Sequence, residues 1–151
     1  MIEIRRVRGD EPAALAMLGA MEAWVAESLG PTTPDKTSTV TPAEMAPPRG
    51  AFVLIEEDGR PLAGGGVRRL SEGVAEIKRM FVLPHARGRG LGRRLLDALE
   101  AAAADLGYAR VRLDTAATMP VAREMYRRAG YREIADYNGN SYAAFWGEKT
   151  L

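Results

Sequence analysis

The chain has 151 residues, of which 46% are hydrophobic and 27% charged, a balance typical of one globular domain and not of a disordered chain. Lys and Arg number 21 and Asp and Glu 20, so the net charge of +1 argues against a chain that seeks polyanions through its overall charge. There is no cysteine, which excludes disulfides, thiolate nucleophiles and Cys-ligated metal centres.

The N-terminal residues 1–6 lack the apolar region of a signal peptide, and no stretch approaches the ~18 apolar residues of a membrane span. We therefore expect a cytoplasmic protein with no membrane partner and with one domain over residues 1–151. His85 is the only histidine and follows Pro84 at a strand-to-loop junction, where we expect it to be exposed. Neither His pairs nor carboxylate clusters have metal-ligand spacing, so we expect no metal site.

The first predicted elements are a short strand and a helix. Ile2, Ile4 and Val7 form a near-alternating apolar pattern, which predicts the strand. Apolar residues spaced three and four apart then predict an amphipathic helix. Its expected core-facing residues are Leu15, Leu18, Met21, Val25 and Leu29. The Pro- and Thr-rich segment from Pro31 to Gly50 predicts a long loop, or a loop around a short helix near residues 43–45.

The middle of the chain predicts three strands joined by tight turns. The strands are residues 51–57, 62–70 and 74–83, and the turns are Asp58-Gly59 and residues 71–73. Short connections of this kind join neighbouring antiparallel strands, so this part of the chain is predicted to form an antiparallel meander.

The last third of the chain alternates helices and strands. A glycine-rich turn at residues 87–92 leads into a helix that ends near Leu106, with a core-facing stripe at Leu91, Leu95, Leu99, Ala102 and Leu106. A strand over residues 111–113 is parallel to the preceding strand if the helix is a crossover. A second helix begins at Pro120 and ends by Gly130, and the final strands, 131–135 and 142–146, flank a turn at Asn138-Gly139. The predicted fold is α/β: a mixed sheet in which an antiparallel meander is followed by a β-α-β crossover, with helices on both faces.

The glycine-rich turn is the first candidate site. Alternate glycines let backbone N–H groups converge, and the following helix N-terminus adds positive potential, as a pyrophosphate cradle requires. Arg93 stands where a Walker A loop or a dinucleotide fingerprint needs its next glycine, so the turn fits neither motif. From these residues alone, a tight structural connection with solvated arginines is an equally good interpretation.

Three segments together resemble a known family. Arg87-Gly88-Arg89-Gly90-Leu91-Gly92 resembles the R/Q-x-x-G-x-G/A motif of the GNAT superfamily of acyl-CoA-dependent N-acyltransferases. Residues 76–82 resemble the family's fourth strand, and Ala122-x-x-x-Tyr126-x-x-x-Gly130-Tyr131 resembles its later helix and strand. The resemblance implies a GNAT-like fold with acetyl-CoA as cofactor. It assigns the CoA pyrophosphate to the turn residues Arg87, Gly88, Arg89, Gly90, Leu91 and Gly92, with Arg93 beside them.

The resemblance also implies catalytic roles. Pantetheine would lie along Met80, Phe81 and Val82, and the Val82 N–H would stabilise the oxyanion formed at the thioester carbonyl. Glu76 matches a strand carboxylate that some members use as general base, and the two-residue period predicts that it shares a strand face with Lys78, Met80 and Val82. Tyr126 matches the family's general acid. The alternatives are a surface Glu76 paired with Lys78 or an arginine, and a core Tyr126 with a satisfied hydroxyl group.

Further residues bear on the cofactor and acceptor sites. Many relatives carry an asparagine where this chain has Met119, which removes one expected contact to pantetheine. Asp114 and Thr115 lie at the end of a predicted strand and are candidates to assist the acceptor or a water. The polar residues Tyr137, Asn138, Asn140 and Tyr142 could line the acceptor pocket, but a simple hairpin turn is the preferred interpretation.

The resulting functional expectation is an N-acetyltransferase that transfers an acetyl group from acetyl-CoA to a primary amine of a small molecule or peptide by direct attack. The alternative is a non-catalytic module that senses acyl-CoA. The near-neutral charge and the lack of aromatic residues interleaved with the basic run 87–94 argue against nucleic-acid binding. The resemblance further suggests a homodimer through the last strands.

Overall fold

The computed structural model describes residues 1–29, 40–116 and 120–151, which build one seven-stranded sheet with helices on both faces. The strands are β1 (Ile2–Val7), β2 (Ala51–Glu57), β3 (Arg60–Ser71), β4 (Val74–Val82), β5 (Arg110–Ala116), β6 (Arg132–Glu133) and β7 (Ala143–Thr150). The α-helices are α1 (Pro12–Leu29), α2 (Leu91–Asp105) and α3 (Pro120–Arg128). A short 3₁₀ helix at Pro42–Met45 confirms the predicted helix near residues 43–45.

The strand order along the sheet is β1-β2-β3-β4-β5-β7-β6. The first four strands pair antiparallel in sequence order, and β4 then pairs parallel with β5 across the α2 crossover. β7 lies antiparallel between β5 and β6. The predicted fold class is therefore confirmed, including the change from an antiparallel meander to a parallel pair in the middle of the sheet.

The alternation of side chains along β2 divides the core between the two faces of the sheet. Val53 and Ile55 pack in the cluster that contains α2 and α3, whereas Phe52 and Leu54 pack in the cluster that contains α1. Leu99 of α2 is fully buried in the first cluster. Because both faces are covered, these strands read as continuous apolar runs in the sequence.

The predicted inward face of α1 was partly wrong. Leu18 and Met21 do pack against the core, but Leu15 is 45% exposed, and Ala14 and Met17 are the buried residues. Trp24 packs on the inward side, where its ring centre lies 5.7 Å from that of Phe81 on β4. Leu15 is nine residues earlier, which places it on the opposite side of the helix and therefore toward solvent.

The end of the chain also differs from the prediction. β6 has only two residues and pairs with β7 through Arg132–Glu148 and Glu133–Gly147. Residues 134–142 therefore connect the two strands, a longer connection than the residues 136–141 that the predicted strands leave around Asn138-Gly139. Of the predicted loop 31–50, residues 31–39 lie outside the described residues. Within the described residues, no helix is long and apolar enough to cross a membrane.

Candidate active site

The glycine-rich turn connects β4 to α2 and has the backbone geometry of an anion cradle. Gly88 and Gly90 have φ angles of 82° and 74°, the left-handed region that glycine adopts without strain. Gly90 caps α2 without a side-chain hydrogen bond, so the amides of the first helical turn point outward from the helix start. A Cβ atom added at Gly88 or Gly90 would meet nothing within 4 Å, so the space above the turn is open.

The three predicted arginines around this turn have different partners. Arg87 donates a hydrogen bond from Nε to the Val82 carbonyl oxygen at 3.0 Å, and its guanidinium lies 4.6 Å from the centre of the Trp24 ring. Arg89 pairs with Glu57 at 2.8 Å and Arg93 with Asp97 at 3.0 Å, both as exposed ion pairs. Exposed pairs contribute only about 0–1 kcal/mol each, so Arg89 and Arg93 can exchange partners at little cost.

The sheet splits beside this turn. β4 and β5 pair through only three residue pairs, ending at Glu76–Arg112. Beyond that point β4 continues along β3 to Val82, and β5 continues along β7 to Ala116. The space between residues 77–82 and 113–116, which we call the β4–β5 gap, thus opens in the middle of the sheet and leads toward the glycine-rich turn.

The side chains along β4 do not keep a simple two-residue period. Arg79 has a φ of 61°, and the pairing with β3 shifts register there, from Gly66–Lys78 to Gly64–Phe81. This bulge turns Met80 and Val82 toward the cluster of α2 and α3, while Phe81 packs beside α1. The expectation that Glu76 shares a face with Met80 and Val82 was therefore wrong, because a bulge inserts one extra residue and exchanges the faces.

The backbone of Val82 points into the β4–β5 gap. The next residue, Leu83, donates its N–H to the Leu62 carbonyl oxygen beside β3 at 2.9 Å. Because backbone groups alternate sides along a strand, the N–H and C=O of Val82 point away from β3. The hydrogen bond from Arg87 to the Val82 carbonyl lies on this same side.

Tyr126 approaches the gap from the α3 side. Its side chain is buried, and its hydroxyl group donates to the Met80 sulfur at 3.7 Å, a weak acceptor. The Tyr131 ring packs edge-on against it, with centres 5.9 Å apart. Burial, with a smaller contribution from the charge of Asp114, raises the pKa of Tyr126 to about 12. The phenol therefore lies beside the gap in its protonated form, with only a weak bond on its proton.

Glu76 is fully buried where the gap begins, which contradicts the alternative of a surface glutamate. Arg68 donates a hydrogen bond to Oε1 from Nε at 2.9 Å, and its Nη2 forms an ion pair with the same oxygen at 2.8 Å. Tyr137 donates to Oε2 at 2.6 Å and Asn138 at 3.3 Å, and Lys78 lies 4.0 Å away. Both carboxylate oxygens are thus engaged, and burial together with the Glu76 charge raises the pKa of Tyr137.

The connection 134–142 supplies site residues that the sequence analysis had interpreted as a hairpin turn. Asn138 donates to Asp114 Oδ2 at 2.6 Å as well as to Glu76, and Asn140 donates to the same Asp114 oxygen at 3.2 Å. The side-chain Oδ1 of Asn138 accepts a hydrogen bond from the Trp146 ring nitrogen at 3.0 Å. The dense polar composition of this segment was the available signal. Of the other candidates, Thr115 is buried, His85 is exposed as expected, and Met119 lies outside the described residues.

The chain was compared with known proteins. Residues 18–131, more than half of the chain, match the family described as the acetyltransferase (GNAT) family. The chain belongs to the GNAT family. The gap, the glycine-rich turn and Tyr126 all lie within or beside elements of this matched GNAT region.

Two curated relatives and one solved structure illustrate the similarity. The chain is 31% identical over 93 residues to the uncharacterized N-acetyltransferase YjgM of Escherichia coli, covering 60% of this chain and 55% of that protein. It is 33% identical over 90 residues to the IAA acetyltransferase of Azospirillum brasilense, covering 59% of each. The match thus spans little more than half the length of these GNAT relatives.

A structural relative shares the fold over its whole length. The PaiA N-acetyltransferase of Thermoplasma acidophilum, solved in complex with coenzyme A, superposes with a TM-score of 0.74. The two chains are 17% identical, and the match covers 100% of this chain and 99% of that chain. The described residues therefore share the fold of this N-acetyltransferase, whose structure contains coenzyme A.

Proposed function

We propose that this chain transfers an acetyl group from acetyl-CoA to a primary amine of a small molecule or peptide, by direct attack of the amine on the thioester. The observation that carries the proposal is the β4–β5 gap. The Val82 backbone and the Tyr126 hydroxyl group border this gap, and it leads to the glycine-rich turn. The gap suits the slender arm that carries the thioester, and the glycine-rich turn suits the bulkier pyrophosphate.

The residues of the turn fit the cofactor's pyrophosphate. Outward-pointing amides at a helix start bind anions, and the open space above Gly88 and Gly90 lets a phosphate approach the backbone. Arg89 and Arg93 can exchange their exposed carboxylate partners for phosphate oxygens. Arg87 holds the Val82 carbonyl and would release it if that carbonyl bonded the pantetheine amide instead.

Two groups of the chain then serve the reaction. Acetyl-CoA supplies an activated acetyl thioester. The Val82 N–H donates a hydrogen bond where negative charge develops on the carbonyl oxygen, an effect worth roughly 10²–10³ in rate in other enzymes. Tyr126, a phenol that is protonated at neutral pH, gives its proton to the departing sulfur.

The amine approaches from the side of the connection 134–142. Glu76 organises this side because it accepts hydrogen bonds from Tyr137 at 2.6 Å and from Asn138 at 3.3 Å. For Glu76 itself to act as the base that the family resemblance implies, it would have to take the proton while still paired with Arg68.

Thermal unfolding with acetyl-CoA tests the proposal, with ATP and NAD as controls. A ligand at 100 times its Kd adds about 2.7 kcal/mol to the free energy of unfolding. At about 2–4 °C per kcal/mol for a domain of this size, Tm should rise by roughly 5–10 °C. A thiol-release assay over a panel of amino acids, polyamines, aminoglycosides and peptides then tests turnover, with Tyr126→Phe as the matched variant.

The outcomes separate the possible functions. A Tm rise specific to acetyl-CoA, together with amine-dependent thiol release that Tyr126→Phe reduces, supports the transferase. A Tm rise without turnover of any amine supports the acyl-CoA sensor. No Tm rise at saturating acetyl-CoA would refute cofactor binding at the turn.

A further inference from the structure

The proposed transfer needs a group that takes a proton from the acceptor, because a lysine-like amine has a pKa of about 10.4 and is mostly charged at neutral pH. Glu76 is poorly suited to this task. Its side chain has 0% exposure, and its two oxygens hold an ion pair with Arg68 and three hydrogen bonds, one each from Arg68, Tyr137 and Asn138. Accepting a proton there would break the ion pair with Arg68 or displace the Tyr137 hydroxyl group.

Asp114 offers a different geometry. It lies on β5 two residues beyond Arg112, the last β5 residue that pairs with β4, so it borders the β4–β5 gap. It is half-buried, and both hydrogen bonds that the described residues give it, from Asn138 and Asn140, fall on Oδ2. The second oxygen, Oδ1, thus keeps its capacity to accept a proton while Oδ2 is held in place.

The carboxylate of Asp114 is also near the proposed acid. Its charge contributes to the raised pKa of Tyr126, which reaches the gap from α3, and to that of Tyr137 in the connection 134–142. A carboxylate and a phenol on two sides of one gap are the two groups that an acyl transfer requires, one to receive a proton and one to give a proton.

We propose that Asp114 is the general base of the transfer, with Asn138 and Asn140 as the residues that position it. Oδ1 takes one proton from the acceptor ammonium, directly or through one water, which restores the lone pair on nitrogen. The nitrogen forms a bond to the acetyl carbon as the carbon–sulfur bond breaks. The sulfur receives the proton of Tyr126, and the second nitrogen proton restores the phenol. The products are an N-acetyl amine, free thiol and one proton, which Asp114 passes to solvent.

Several charged groups lie on the strands around this proposed base. On β4 these are Glu76 and Lys78; Arg112 precedes Asp114 on the same face of β5, and Glu148 of β7 lies opposite Arg112. Each of these groups has a partner of opposite charge: Glu76 pairs with Arg68 and Lys78, and Arg112 pairs with Glu148. Asp114 instead has only amide partners among the described residues, which leaves its charge available to a cationic amine.

This inference rests on the proposed function, and its test compares Asp114→Asn with Glu76→Gln. The assay is kcat/KM from pH 6 to 10, for the amine that the wild type acetylates best. We expect Asp114→Asn to lose roughly 10²–10⁴ in kcat/KM at neutral pH, the usual contribution of a general base. The loss should shrink as pH approaches the amine's own pKa, because more of the amine is then already neutral. A merely structural role would give a loss that does not change with pH.

Two controls make the result decisive. Asn140→Ala removes one bond to Asp114 but keeps its carboxylate, so its loss should stay well below that of Asp114→Asn at neutral pH. The Tm rise with acetyl-CoA should persist in Asp114→Asn, because Asp114 does not contact the glycine-rich turn. If Glu76→Gln shows the pH-dependent loss and Asp114→Asn does not, the base is Glu76 and this inference is wrong. If the wild type acetylates no amine, the proposed function fails, and the inference fails with it.

Discussion

Glu148 allows a quantitative test of the electrostatics on the sheet face that carries Glu76. Its side chain is only 2% exposed and accepts hydrogen bonds from Arg112 at 2.8 Å and Arg132 at 2.7 Å, with Arg110 at 3.6 Å. The substitution Glu148→Gln keeps the shape but removes the negative charge, so three arginines lose their common partner.

The expected cost follows from the exposure of each arginine. A hydrogen bond to a charged group contributes about 1.5–3 kcal/mol when it is shielded, which fits Arg112 at 27% exposure. Arg132 is 74% exposed, so its bond contributes about 1 kcal/mol or less. We therefore expect a loss of about 2–3 kcal/mol in the free energy of unfolding at pH 7. With about 2–4 °C per kcal/mol, Tm should fall by roughly 5–10 °C.

The pH dependence gives a second check. Hydrogen bonds from Arg132 and then Arg112 hold the pKa of Glu148 below its usual value. A carboxyl group with a lowered folded-state pKa stabilises the protein above its unfolded pKa of about 4.3. This stabilisation is lost as pH falls through the folded-state pKa. The Tm difference between wild type and variant should thus be full at pH 7 and shrink below about pH 4.

The assay is thermal unfolding followed by circular dichroism at pH 7 and at decreasing pH. The matched control is Glu133→Gln, because Glu133 is 51% exposed and lies 3.5 Å or more from Arg123 and Arg127. Its effect should stay within about 0.5 kcal/mol. Equal Tm values for Glu148→Gln and wild type at pH 7, or a difference that persists unchanged in acid, would refute the electrostatic argument.

Three further predictions concern the acid, a tight turn and the core. Because the pKa of Tyr126 is about 12, the ratio of wild-type to Tyr126→Phe kcat should stay flat from pH 6 to 10; a ratio that falls within this range would mean that Tyr126 titrates early. In thermal unfolding, Gly50→Ala should cost more than Gly59→Ala, because its Cβ would overlap the backbone carbonyl oxygens of Glu44 and Val67, whereas a Cβ at Gly59 meets no atom and costs only the strain of a φ of 78°; equal Tm values would contradict this. Leu99→Ala should cost about 2–5 kcal/mol in chemical denaturation, and a cost below 1 kcal/mol would show that α2 repacks.

Much of the fold could be predicted from local patterns. The turns at Asp58-Gly59 and Gly73 both use left-handed backbone, which these residues favour, and they set the boundaries of the meander. The crossover from β4 to β5 follows from the helix between two strands. These features depend on residues close together in the sequence, so a single sequence contains the information.

The bulge at Arg79 could not be predicted in this way. Arginine has no preference for a φ of 61°, and nothing in the local sequence marks the position. Its cause is tertiary, since the shift lets Met80 pack beside Gly65 and Leu99 while Phe81 reaches Trp24. The two-residue period therefore placed Glu76 and Lys78 correctly on one face of β4, but it placed Met80 and Val82 on the wrong face.

The candidate site shows the same division. Tyr126 and the glycine-rich turn could be located because each belongs to a contiguous motif. The hydrogen bonds that tie Glu76 to Tyr137 and Asn138 span 61 and 62 residues of sequence, and Asp114 reaches Asn138 across 24. Such pairings depend on where the connection 134–142 folds back, and a simple hairpin turn was the preferred expectation for the segment around the Asn-Gly pair.

Because β4 and β5 diverge, the described sheet has four edges, which we call strand margins, where an ordinary open sheet has two. β1 and β6 form the outer margins, and the diverging parts of β4 and β5 form two inner ones. Strand margins can template the addition of a foreign strand and so promote aggregation. The Arg79 bulge breaks the regular spacing that an added strand would need along β4, and Pro84 follows where β4 ends. The kink that turns Met80 toward the helices thus also protects the inner margin against self-association.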